Sequence, residues 1–252
     1  MNDHAAIKRM GDIPFPFGWY SLMPGTSWLF PYDVDQLPPL PPPDPAFRSL
    51  VLEGYTTIPA AKLDASRAWV QRQLATLTAS AAHLGITLPE SFLLFMRAPE
   101  LQFPKWGGCG FTLSNLVVPC PGFDGGYLVC FLRDQQDCLI WCLCLTRDGE
   151  SCVLALSSDV LDAMPDARRD ALLGMLKSDE VDRIEEVVMS ATEPDASWEV
   201  ATSSDGIHIC APSFAACIER LWIESEIQRK LDGDDTTPLT AAEQGYWEQF
   251  ER

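Results

Sequence analysis

Between Gly126 and Leu156 the apolar positions fall into three short runs, Gly126-Tyr-Leu-Val-Cys-Phe-Leu132, Cys138-Leu-Ile-Trp-Cys-Leu-Cys-Leu145 and Ser151-Cys-Val-Leu-Ala-Leu156. Two polar turns separate them, Arg133–Asp137 and Thr146–Glu150, the pattern of an antiparallel meander. Side chains alternate across a strand, so Leu139, Trp141, Leu143 and Leu145 share one face of the middle run, and Cys138, Ile140, Cys142 and Cys144 share the other. Both faces are apolar. A sheet wetted on one side alternates apolar with polar, so this strand is expected to be central and covered on both sides.

A different period flanks the meander. Leu63, Val70, Leu74, Leu77, Ala81 and Leu84 recur at threes and fours, which predicts a helix from Pro59 to Leu84, stopped by Gly85 in a left-handed cap. Thr87–Met96 reads as a second, short helix with Pro89 in its first turn, and Phe111–Val117 as a first strand. Residues from Asp159 to about Glu193 read as acidic helices, and Trp198–Ala201 with Ile207–Cys210 as a strand pair around Ser203-Ser-Asp-Gly206. Ser213 then caps a helix to about Leu231. On it Phe214, Cys217, Ile218, Leu221 and Ser225 share one side with Trp222 at the margin, and Glu219, Glu226 and Lys230 line the other. Pro238–Phe250 is expected to form a final docking helix. The fold class is therefore α+β: a central, mostly antiparallel sheet, about 111–156 plus short strands in 198–210, flanked by helices.

Residues 1–58 stand apart from the domain at 59–252. Prolines in Ile13-Pro-Phe-Pro-Phe17 and Leu37–Pro45 exclude helix and central strand, yet Trp19, Tyr20, Trp28, Phe30, Tyr32 and Phe47 are too many aromatics for a disordered tail. The pattern reads as an extended arm that buries its aromatics on the domain. The competing reading is a proline-rich ligand for a partner's aromatic groove.

Charge narrows the function classes. The 252 residues carry a net charge of −18, which argues against nucleic-acid binding and suits a basic partner. Between Asp159 and Cys210, thirteen Asp and Glu face four Lys and Arg, a net −9, so half the excess sits in the acidic segment at about 159–194 and just beyond it. The sequence offers no bilayer-spanning run and no signal-peptide core, so the expected compartment is the cytoplasm.

The nine cysteines are odd in number and fall inside apolar runs, which reads as reduced, buried thiols. No paired C-x₂₋₄-C knuckle supports zinc, so no metal or cofactor is expected, although Cys138, Cys142 and Cys144 with His208 and Cys210 are the residues a metal would use. Trp106-Gly-Gly-Cys-Gly110 lacks the Lys-Ser/Thr that a phosphate cradle needs. A cysteine-dependent enzyme would have to pair Cys210 or Cys109 with His208 or His83, and none of these lies in a nucleophile motif.

Several pieces, in order, resemble the SUKH superfamily of bacterial immunity proteins and a related fungal regulator of cell-wall assembly. They are the helix before Gly85-Ile-Thr-Leu-Pro-Glu-Ser-Phe-Leu-Leu-Phe95, the strand Gly126–Leu132, the Trp-bearing strand Cys138–Leu143, Arg147-Asp-Gly149, Ser213-Phe-Ala-Ala-Cys-Ile-Glu-Arg-Leu-Trp-Ile-Glu-Ser-Glu-Ile227, and Pro238-Leu-Thr240 with Tyr246. The proline-rich arm lies outside the resemblance. It implies a non-enzymatic binding module, commonly one that occludes the active surface of a cognate, often nuclease, toxin, and carries no catalytic residues over. The candidate partner contacts are Asp134, Asp137, Glu180, Asp182, Glu185, Glu186 and Glu224, with Trp106 as an aromatic anchor. The same fold without a toxin would be a regulatory scaffold.

Overall fold

A computed structural model describes residues 13–21, 31–33, 60–98, 102, 109–176, 206–248 and 250. Helices α1 (Ala60–His83) and α2 (Glu90–Met96) precede strands β1 (Cys109–Phe111), β2 (Val118–Pro119), β3 (Gly126–Asp134), β4 (Leu139–Thr146) and β5 (Ser151–Ser157). Short helices α3 (Ser158–Asp162) and α4 (Asp166–Leu172) come next, then β6 (Ile207–Ala211), α5 (Phe214–Leu231) and α6 (Ala241–Trp247). The strands form one open, six-stranded antiparallel sheet in the order β1-β3-β4-β5-β6, with β2 also on β3.

The meander forms as its period-two pattern requires. Leu139, Trp141, Leu143 and Leu145 are buried toward a layer built from α1, α2 and α5, together with Trp19 and Tyr20 of the arm. Phe214, at the start of α5, is the hub of that layer: the rings of Phe92, Phe95 and Phe131 meet it at centroid distances of 5.0–5.5 Å, edge to face. Ile140, Cys142 and Cys144 are buried on the opposite face with Leu128, Cys130, Cys152 and Leu154, beneath α3, α4 and Phe15.

Local signals set the helix ends. Gly85 has φ +71, and Leu74, Leu77 and Ala81 of the α1 stripe are buried. The Ser213 hydroxyl accepts from Ala216 N–H at 3.2 Å to cap α5, and Thr240 with Glu243 forms a reciprocal capping box on α6.

Two expectations need correction. Phe111–Val117 is not a continuous strand: the ladder register with β3 ends at Phe111, Thr112 and Ser114 N–H still reach the Phe131 and Cys130 carbonyls at 3.0 and 3.2 Å, and the polar side chains turn to the end of α4. Thr112 and Ser114 donate to the carbonyls of Leu173 and Leu172, and Asn115 Oδ1 accepts from Leu176 N–H at 2.9 Å. Residues 158–176 of the acidic segment carry an apolar side as well as charge: Val160, Leu161, Ala171 and Leu172 roof the second face of the sheet. Glu226 and Lys230 do not line a free surface: Glu226 is buried beside Arg229 at 3.1 Å, and Lys230 bridges to Glu243 of α6 at 2.7 Å. The expected strand Trp198–Ala201 lies outside the described residues, as do residues 34–50 of the arm.

The described arm is extended and packed. Gly18 N–H donates to Ile209 carbonyl at 3.1 Å, and Ile209 N–H donates to Pro16 carbonyl at 2.8 Å, so the arm runs parallel to β6 on the sheet's far edge. A Cβ at Gly18 would lie 2.6 Å from Pro31 and 2.8 Å from the His208 ring, so only glycine permits this approach.

Candidate functional site

The β3–β4 turn is built by its own acidic residues. Asp137 adopts φ +54, its N–H reaches Asp134 carbonyl at 3.3 Å, and its carboxylate pairs with Arg133 at 3.4 Å. Asp134 Oδ1 accepts from Leu139 N–H at 3.4 Å, which starts the return strand. Both carboxylates stay partly open to solvent. Ser158 N–H donates to Cys138 carbonyl at 3.0 Å, which brings the exposed Asp159 of α3 to the same end of the sheet. Three carboxylates and one guanidinium therefore share that rim.

Glu224 is elsewhere. Its carboxylate is fully buried between α5, the arm and α6, where it accepts from Trp19 Nε1 at 2.9 Å, Ser21 Oγ at 3.0 Å and Tyr246 hydroxyl at 2.7 Å. Arg220 donates to Tyr246 hydroxyl at 3.0 Å and lies over the Trp19 ring at 5.5 Å. The expectation that Glu224 meets a partner is overturned: a carboxylate with these donors is an internal clamp for both chain ends, and its charge is held by hydrogen bonds rather than by water. Burial, then the neighbouring Glu224 charge, pushes the Tyr246 phenol well up. Helical spacing carried the signal, since Glu224 falls three residues after Leu221 and seven after Cys217, on the apolar stripe itself. Trp19, Ser21 and Arg220 were the partners that sequence reasoning missed.

The thiol–imidazole pairs are placed as follows. His208 Nδ1 lies 3.1 Å from the Tyr20 hydroxyl, and Cys210 Sγ lies 3.2 Å from Gly18 carbonyl, so both side chains hold the arm. Burial pushes the Cys210 and Cys109 thiols far up, so neither rests as a thiolate. His83 is exposed at the end of α1. All nine cysteines are free, and among the described residues no group of three His, Cys, Asp or Glu side chains is placed to hold a metal ion. No described helix is long and apolar enough to cross a membrane.

Of the expected contacts, the structure brings Asp134 and Asp137 together and sets Glu224 in the interior. Trp106, Glu180, Asp182, Glu185 and Glu186 lie outside the described residues. In comparison with known proteins, the chain matches no family model, no curated protein and no solved structure.

Proposed function

We propose that this chain is a cytosolic, non-enzymatic binding module of the immunity type, which neutralises a toxin by covering a basic active surface. One observation carries the reading: the pieces quoted for the SUKH resemblance form, in chain order, α1, α2, β3, β4, the turn before β5, α5 and α6 around one antiparallel sheet. The charge supports it. A protein at −18 attracts a phosphate-binding cleft over long range, and the rim of Asp134, Asp137 and Asp159 together with Glu180, Asp182, Glu185 and Glu186 supplies the contacts.

The test is co-expression with candidate basic nuclease toxins, any encoded beside this gene first, paired with calorimetry at low and high salt. Growth is restored, and affinity falls as salt rises. Neutralising Glu180, Asp182, Glu185 and Glu186 to Gln and Asn slows association by about tenfold. A chain that leaves toxicity untouched yet captures a different cellular protein makes this a scaffold instead, and unchanged association after neutralisation removes the acidic segment from the interface.

A further inference from the structure

Five of the nine cysteines, Cys120, Cys130, Cys142, Cys144 and Cys152, converge in the core of the sheet's second face. Four of them are direct cross-strand partners: Cys130 opposite Cys142 on β3–β4, and Cys144 opposite Cys152 on β4–β5. The two pairs differ in kind. Antiparallel partners alternate between those that exchange backbone hydrogen bonds, with Cα atoms about 5.5 Å apart, and those that do not, at about 4.5 Å with side chains closer.

Cys130 belongs to the second kind. Its N–H donates to Ser114 Oγ at 2.7 Å and its carbonyl accepts from Ser114 N–H at 3.2 Å, so both backbone groups point away from β4. Backbone groups alternate sides along a strand, so Cys142 and Cys144 both turn theirs toward β5. The hairpin bond from Thr146 N–H to Glu150 carbonyl at 3.0 Å, two residues on, has the same parity. Cys144–Cys152 is thus a hydrogen-bonded pair with more widely spaced side chains.

A disulfide needs Cβ atoms about 3.5–4.5 Å apart, the spacing that the non-hydrogen-bonded position approaches. The Cys130 thiol reaches the Leu132 carbonyl at 3.7 Å and has Cys142 as its neighbouring thiol, whereas Cys144 has two neighbouring thiols, Cys120 and Cys152. The register slips just after Cys130, a bulge that bends β3 there.

We propose that Cys130 and Cys142 are an oxidation site, converted to a cross-strand disulfide by a small peroxide. One sulfur, as its thiolate, attacks a peroxide oxygen: the S–O bond forms, the O–O bond breaks, and hydroxide leaves a sulfenic acid behind. The other thiolate displaces hydroxide from that sulfur and forms the S–S bond. In sum, two thiols and one hydrogen peroxide give one disulfide and two waters. Burial holds the Cys142 thiol well up, so the reaction is slow in the closed fold and quickens with pH. The new bond ties together the two strands that carry the Asp134–Asp137 turn.

The full chain is treated with hydrogen peroxide, its remaining thiols are capped with N-ethylmaleimide, and the digest is sequenced by mass spectrometry. The expected product is one cross-link between Cys130 and Cys142, with two caps fewer per chain. The Cys144→Ala/Cys152→Ala variant forms the same cross-link, and Cys130→Ala forms none. A principal product at Cys144–Cys152 or Cys120–Cys144, one joined only through the exposed Cys138, or no cross-link at all overturns the proposal. The wild-type map decides without relying on any variant to fold.

Discussion

The two faces of the central sheet are covered by the same strands but filled in opposite ways. Toward α1, α2 and α5 the strands present Phe131, Trp141, Leu143 and Leu145, and the aromatic rings around Phe214 lock against them. Toward α3 and α4 they present Cys130, Cys142, Cys144 and Cys152, small side chains beneath short helices and Phe15. Leu128, Ile140, Leu154 and Leu156 fill the space between those thiols, so the second face mixes aliphatic with small side chains where the first interlocks aromatic rings. One face is held by rings packed edge to face. The other sets a cluster of thiols among its aliphatic side chains.

Mutation makes the contrast measurable. Trp141→Ala removes the largest side chain of the first face and is expected to cost about 3–5 kcal/mol in urea unfolding. A loss as small as that of a cysteine would mean that the two faces pack alike. Glu224→Ala strands the Trp19, Ser21 and Tyr246 donors and costs roughly 3 kcal/mol, with Glu224→Gln milder because it keeps an acceptor. Fluorescence of Trp19 shifting to the red would report the arm lifting off, and an unshifted spectrum would place the clamp elsewhere.

Alkaline pH probes the buried thiols and phenols of both faces. Burial raises the thiols of Cys120, Cys142 and Cys152 well above their ordinary value of 9.0, and raises Tyr20 from 10.0 to about 12, with Cys210 contributing. For Cys152 the hydrogen bond to Cys144 acts ahead of burial. The protonated forms are the ones that the fold holds, so stability is complete below the ordinary values and falls as pH rises through the raised ones. The decline starts with the buried thiols near pH 9, Cys210 and Cys217 of the first face included, and continues through the tyrosines toward pH 12, with Tyr20 alone accounting for about 2 kcal/mol by pH 12. A flat unfolding midpoint between pH 8 and 11 would contradict it. At the small end, Ser213→Ala and Cys144→Ala each cost about 1 kcal/mol, the first through a lost helix cap and the second through a small void.

Much of the architecture was legible because it rests on local rules. Period two placed Trp141 and Cys142 on opposite faces, and Gly85 and Ser213 marked helix ends through bonds made within a few residues. The misses share a cause in long-range partners. Thr112 and Ser114 look like strand residues until α4 arrives from about sixty positions away to take their hydroxyls. Glu224 sits on the apolar stripe of its helix, but the donors that make the interior habitable for it, Trp19 and Ser21 more than 200 residues earlier and Tyr246, are invisible to that spacing. Asp134 and Asp137 were read as contacts for another molecule, yet each first satisfies its own turn, a task that sequence spacing alone does not distinguish from recognition.

The strip of main chain from Pro16 to Gly18 has a last consequence. It occupies backbone groups of Ile209 on the rim strand that would otherwise invite a neighbour's strand to add on, and Pro16 has no amide hydrogen with which to recruit a further one. A chain trimmed to begin after Ser21 would bare that rim beside the vacated Trp19 cavity, and should self-associate edge to edge while the intact protein stays monodisperse.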